Sequence, residues 1–138
     1  MEPLIVNVTI NAPIEKVWAF FTEAEHIVNW NFAHESWHCP KAENNLEIGG
    51  EFFYTMAAKD KSTSFVFHGT YTEIIPLQKI EYHIEDGRKV EVFFHKIDEN
   101  TTEVFERIEP EMINSLEMQE QGWQSILNQF KNYTEGNS

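Results

Sequence analysis

Apolar and polar positions alternate from the start of the chain. Leu4, Val6, Val8 and Ile10 interleave with Ile5, Asn7, Thr9 and Asn11, a period of two that predicts a strand with one buried face. Pro13 follows where helices accept proline, in the first turn. Ile14, Val17, Trp18 and Phe21 then recur at helical spacing. Thr22 and Glu25 match a T-x-x-E capping box, which predicts a second short helix with Ile27 and Trp30 on its apolar side.

Residues 31–45 (NFAHESWHCPKAENN) keep no period and are expected to form a loop; loops of this length commonly carry a function. After Gly49-Gly50 the period of two returns. Phe52, Tyr54 and Met56 share one face, and Phe65, Phe67 and Tyr71 share another as far as Pro76. Ile80, Tyr82 and Ile84 lead into Asp86-Gly87, a pair suited to a type I′ hairpin turn, and Val90, Val92 and Phe94 answer on the return strand. Asp98-Glu99-Asn100 turns again into a strand over Thr102–Ile108.

Beyond Asn114 and Ser115, both good N-caps, the period changes. Leu116, Gln119, Trp123, Ile126/Leu127, Phe130 and Tyr133 recur every three or four residues, predicting a long amphipathic helix. Meandering strands are antiparallel, and helices gathered at the two ends of the chain predict an α+β class. A sheet with one apolar face needs a cover. The C-terminal helix is expected to supply it, with Trp123, Ile126/Leu127 and Phe130 on the concave face.

Composition bears on scale and partners. The 138 residues fit a single domain, 1–138, with no linker, repeat or low-complexity stretch. At this size folding buries roughly 68% of the unfolded surface, enough for one core. Lys and Arg number 10 against 23 Asp and Glu, a formal charge of −13. That field repels phosphate, so neither nucleic acid nor an anionic membrane is expected as a partner. No stretch approaches the ~18 apolar residues of a membrane span. Cys39 is the single cysteine, and the start lacks the basic and apolar regions of a secretory signal; a reducing, cytoplasmic setting is expected.

Several short motifs, in this order, resemble the START-like (SRPBCC) superfamily. They are Asn11-Ala12-Pro13-Ile14-Glu15-Lys16-Val17-Trp18, Glu25-His26 with Trp30, Gly49-Gly50-x-Phe52, Gly69-x-Tyr71-x-Glu73-Ile74-Ile75-Pro76 and Gly122-Trp123. Their spacing is most similar to the branch named after the activator of heat shock protein 90 ATPase, over nearly the whole chain from Ile5 to Tyr133. The resemblance implies a helix-grip fold: a curved antiparallel sheet around the long C-terminal helix, two short N-terminal helices, and a cavity between sheet and helix. The superfamily includes carriers of lipids and other hydrophobic ligands, polyketide cyclases and chaperone-binding domains. The eukaryotic activators carry a further N-terminal domain to which nothing in these residues corresponds.

Glu106 is the most informative single residue. It shares the apolar phase of Val104 and Ile108, while Glu103 and Arg107 occupy the other face. An inward carboxyl is costly unless paired, hydrogen-bonded or protonated. It is therefore expected to serve as a polar anchor or general acid/base in the cavity, with its pKa raised; the alternative is a frayed or bulged strand end reaching water. Trp30, Trp37 and Trp123, with Tyr54, Tyr71 and Tyr82, are expected to line the cavity, the alternative being ordinary core. The 31–45 loop is expected over the cavity mouth, bringing Trp37 or His38 to the rim.

His34, Glu35, His38 and Cys39 invite a metal reading. Pro40 favours extended backbone at Cys39, which sends His38 and Cys39 to opposite sides, and no second ligand pair stands at finger spacing. No metal is expected, and with no G-x-G-x-x-G, P-loop, G-x-S-x-G or H-E-x-x-H motif no cofactor is expected either. The leading expectation is binding of a small hydrophobic or amphipathic molecule between sheet and helix. The alternatives are a cyclase-, dehydratase- or hydrolase-type enzyme using Glu106, and a chaperone-associated interaction domain.

Overall fold

One-sided strands require a covering layer, and the structure, a computed structural model that describes residues 2–137, supplies it from the last helix. Met1 and Ser138, included in the expected single domain, lie outside the described residues. Strand β1 (Leu4–Ile10) is followed by helices α1 (Ile14–Thr22) and α2 (Ala24–Ile27). Strands β2 (Trp37–Asn44), β3 (Glu51–Ala58), β4 (Ser64–Ile75), β5 (Lys79–Ile84), β6 (Lys89–Asp98) and β7 (Thr101–Ile108) precede helix α3 (Leu116–Gly136). The seven strands form one antiparallel sheet in the order β1-β7-β6-β5-β4-β3-β2. It curls into a half-barrel with α3 on the concave side, the helix-grip α+β fold that the resemblance implies.

Register explains the core. Val6 of β1, Glu106 of β7 and Val92 of β6 stand side by side, as do Val8, Val104 and Phe94 one step along. All six face inward and are buried. Each fully buried Val or Phe is worth about 1.5–3 kcal/mol. Register shifts between Tyr71 and Glu73, and between Lys96 and Asp98, bend the strands they interrupt. At Gly69 an added Cβ would lie 2.5 Å from the Phe52 ring, so only glycine lets that ring lie flat on β4.

Helix α3 begins as expected at Ser115, whose Oγ accepts from Met118 N–H at 3.1 Å. Its inner face buries Leu127 and Phe130 completely. Its flank reaches the outer edge of β1: Gln124 Nε2 donates to Asn7 O at 2.9 Å, Lys131 Nζ donates to Thr9 O at 2.7 Å, and Asn11 N–H donates to Glu135 Oε2 at 2.8 Å. Backbone groups of an edge strand are thereby satisfied by side chains.

Three local expectations are corrected. Helix α1 runs through Thr22, whose hydroxyl donates back to Trp18 O at 2.8 Å. Glu23 then caps α2 without a side-chain bond, so no Thr22/Glu25 capping box forms. At the Asp86-Gly87 hairpin only Gly87 has positive φ (92°), and Gly87 N–H donates to Ile84 O at 2.8 Å. Asp86 instead accepts Arg88 N–H at 3.1 Å, giving a three-residue loop rather than a type I′ turn. Finally, Trp37–Asn44 is an edge strand, not loop. Its register shifts between His38 and Lys41, at Pro40, a residue without an N–H that suits an edge bulge.

Candidate functional site

The period of two on β3, β4 and β5 places Phe52, Tyr54 and Met56, then Phe65, Phe67 and Tyr71, then Ile80 and Tyr82 on the concave face. Helix α3 packs its backbone against β1 and α1 and makes no comparably close approach to β3, β4 or β5. The gap between is a cavity of about 350 Å³. Met118, Gln119, Gly122, Trp123 and Ile126 of α3 form its roof, and Phe21, Thr22, Trp30 and Asn31 close one end. Ala33, Phe65 and Met118 line it and are solvent-exposed, so they mark its mouth.

Glu106 lines this cavity and is only 6% exposed. Its strand neighbours in register are Val6 and Val92, both apolar. Arg107, the nearest base in sequence, is exposed on the other face. No hydrogen bond or ion pair reaches the carboxyl among the described residues, and burial alone pushes its pKa up to about 8. A neutral carboxyl at pH 7 is both donor and acceptor.

The phenols form the rest of the polar equipment. Tyr71 O–H donates to Asn44 Oδ1 at 2.5 Å, and Asn44 Nδ2 donates to Thr22 O at 2.6 Å. Burial pushes Tyr71 up to about 12, and Tyr54, whose hydroxyl donates towards Tyr71, is raised well above the ordinary phenol value. Tyr82 is raised in the same way by burial and then by the charge of Glu106. Trp30 spends its N–H on Phe20 O at 3.0 Å, leaving its ring for the cavity. Gln119 is tied by Glu111 N–H at 2.8 Å and by its own donation to Asn114 O at 2.9 Å.

Of the residues expected at the site, Trp30, Tyr54, Tyr71, Tyr82, Glu106 and Trp123 come together around the cavity. Trp37 and His38 do not line it: His38 departs from the expectation that it reaches the rim, whereas Trp37 stands beside the mouth. Trp37 is paired with Ala58, which shares the inward face with Tyr54 and Met56, and rests on Phe65 at the mouth, ring centroids 5.8 Å apart. His38, opposite Ala57, is exposed on the outer face. Edge-strand pairing fixes both, while Asn31 and Ala33, from the irregular start of the same stretch, line the cavity and its mouth. Cys39 is buried whereas His34, Glu35 and His38 are exposed, so these four do not converge. Candidate metal ligands come together instead, among the described residues, at Glu23, Glu25 and His26, away from the cavity wall. Asn31, whose amide lies 3.3 Å from Met56 Sδ, and Gln119 were not foreseen as lining residues. Asn31 sits in a stretch without period. Gln119, by contrast, lies in the apolar phase of α3 and could have been found there.

A half-barrel gripping a helix, with a lined cavity between, defines a class of small α+β domains whose fold supports ligand binding in general. Within that class the chain belongs to the family described as activator of Hsp90 ATPase homolog 1-like protein, which matches residues 11–135. The solution NMR structure of the AHSA1-like protein from Aeromonas hydrophila is similar, with a TM-score of 0.88 and 34% identity over 96% of this chain and 93% of that one. A protein from Cytophaga hutchinsonii is 48% identical, with a TM-score of 0.83, over 98% of this chain and 93% of that one. One from Chromobacterium violaceum shares the fold at 19% identity, with a TM-score of 0.85 over 99% and 100% of the two chains. No curated protein matches. No helix among the described residues is long and apolar enough to cross a membrane.

Proposed function

We propose that the protein binds a small hydrophobic or amphipathic molecule in the cavity between strands β3–β5 and the first half of α3. The observation that carries this reading is the cavity itself. At about 350 Å³ it falls within the range of roughly 300–1,000 Å³ typical of ligand pockets. Interiors otherwise close-pack, and an empty apolar void forfeits the contacts its lining could make. At the opposite end of the same layer Leu127 and Phe130 are at most 1% exposed, so the void is local to one end of this core. A single, buried cysteine fits work in a reducing cytoplasm.

The test is titration with the neutral fluorescent probe N-phenyl-1-naphthylamine. Saturable one-to-one binding is expected, and Gly122→Trp, which puts an indole where an added Cβ meets nothing within 4 Å, is expected to remove it. Ile126→Trp is the second blocking variant. Probe binding that neither variant changes would end the proposal, as would no binding at all. Native mass spectrometry of protein purified from its own host is expected to find a retained small molecule.

A second reading, an acid–base enzyme, draws on Glu106 and Tyr82 sharing the cavity. It requires that a molecule recovered from the host protein be chemically changed on incubation with fresh protein.

A further inference from the structure

We propose that the cavity selects amphipathic amines, with the apolar body among the rings and the protonated nitrogen against the carboxyl of Glu106. This rests on the cavity reading above and adds the charge of the ligand's head.

Three independent observations carry it. Glu106 is buried and opens onto the cavity with no partner among the described residues. A carboxyl in that position is costly until something donates to it. Secondly, among the described residues no Lys, Arg or His lines the cavity, and Glu106 is its one carboxyl. An anionic head would meet that carboxyl with no cation to offset it. The lining amide of Gln119 is already committed to Glu111 and Asn114, and the Tyr71 hydroxyl to Asn44.

The third observation is the surrounding aromatic rings. The Phe52 and Tyr82 centroids lie 4.9 Å apart and those of Phe67 and Trp123 lie 5.9 Å apart, enclosing the space from sheet and helix. Ring faces attract ammonium groups, the more so when water is excluded. The net charge of −13 adds a long-range field that concentrates cations and hastens their encounter.

The proton balance follows. In the empty cavity burial keeps Glu106 mostly neutral at pH 7. When an ammonium group enters, the ion pair favours the carboxylate, the N–H bonds stay intact, and the carboxyl proton leaves to solvent. The phenols that share the cavity from β3, β4 and β5 (Tyr54, Tyr71 and Tyr82, of which Tyr82 feels the charge of Glu106) stay protonated, because burial raises all three. The α3 side chains over the cavity, Met118, Gln119, Trp123 and Ile126, carry no charge. Among the described residues the one cation whose field reaches Tyr82 is Arg88, held by Asp86 at 2.8 Å.

The experiment compares 4-phenylbutylamine, 4-phenylbutanol and 4-phenylbutyrate as displacers of N-phenyl-1-naphthylamine at pH 7. The amine is expected to bind roughly tenfold tighter than the alcohol and roughly a hundredfold tighter than the acid. Glu106→Gln is expected to bring the amine down to the alcohol's level. Calorimetry of the unaltered protein in two buffers of different ionisation enthalpy is expected to show release of about one proton per amine bound. An alcohol or acid that equals the amine overturns the proposal, as does an amine preference that survives Glu106→Gln, or the absence of proton release. If the probe binds and the head groups rank otherwise, the cavity reading stands and this inference alone falls. If the probe does not bind, both fall.

Discussion

The two halves of α3 meet the same sheet on different terms. Towards its C-terminal end Leu127, Phe130 and Thr134 are at most 1% exposed, pressed against β1 and α1. Towards its N-terminal end Met118 is 63% exposed, Gly122 has no side chain, and Trp123 and Ile126 hang over the cavity. The cause is an asymmetric attachment. Gln124, Lys131 and Glu135 tie the helix to the β1 edge, while the sheet curls away beneath the first half of α3. Stability is therefore concentrated at one end of the layer and the binding space at the other.

The largest test of that contrast is Phe130→Ala. The ring meets Trp30 at 4.8 Å and Phe21 at 5.1 Å and is fully buried. Its loss is expected to cost about 3–5 kcal/mol in urea unfolding. Trp123→Ala at the open end is expected to cost clearly less. Equal costs would erase the distinction between the two ends.

Next in size is the pH dependence that Glu106 imposes. Its folded pKa, about 8, lies above an unfolded value near 4.3. Between these the folded state holds the extra proton, so stability falls as pH rises, by up to about 1.4 kcal/mol per unit, and levels off above the folded value. The contribution is fully present below the unfolded pKa. Asp86, Asp98, Glu111 and Glu135 are shifted the opposite way, downward, and act in more acid solution. Subtracting the Glu106→Gln profile from that of the unaltered protein isolates the slope between pH 5 and 8. A flat difference would place water or a hidden partner on the carboxyl.

Gln124→Ala is expected to cost about 1 kcal/mol, since it frees the Asn7 carbonyl bonded at 2.9 Å, and to leave probe affinity unchanged. A change in affinity would show that the attachment at β1 also sets the cavity's width. The smallest expected effect is a gain. Gly122→Ala adds a methyl that meets nothing within 4 Å and removes a helical glycine, raising stability by at most about 1 kcal/mol. A loss instead would mean that the bare position is needed for the helix to seat.

Legibility in the sequence followed the same contrast. Where one face is buried, the period showed through: β1, β3, β5, β6, β7 and α3 were readable from Leu4 to Ile10, from Phe52 to Met56 and from Leu116 to Tyr133. Glu106 was readable for the same reason, as a charge between Val104 and Ile108 in their apolar phase. Strand β2 was not, because an edge strand broken at Pro40 and with one buried residue leaves no alternation to read. His38 therefore faces outward, against expectation, while Trp37 stops beside the mouth without lining the cavity. The cavity could be inferred only from resemblance, since a period reports which face is inward and not how far the opposing layer stands off.

The attachment of α3 to β1 also sets the order of events when the chain is made. Asn7 and Gln124 are 117 positions apart, and Asn11 and Glu135 are 124 apart. Strand β1 pairs only with β7, so it waits for Leu4 to meet Ile108 and then for the helix to arrive. Until then the nascent chain carries a long, unprotected strand edge, the kind of surface on which two copies join. Contacts this distant in sequence slow folding, because the long loop must close before they can form. Removing residues 131–136 would spare every cavity-lining side chain and still be expected to produce aggregates on the ribosome's side of synthesis, because what it deletes is the cover of the first strand.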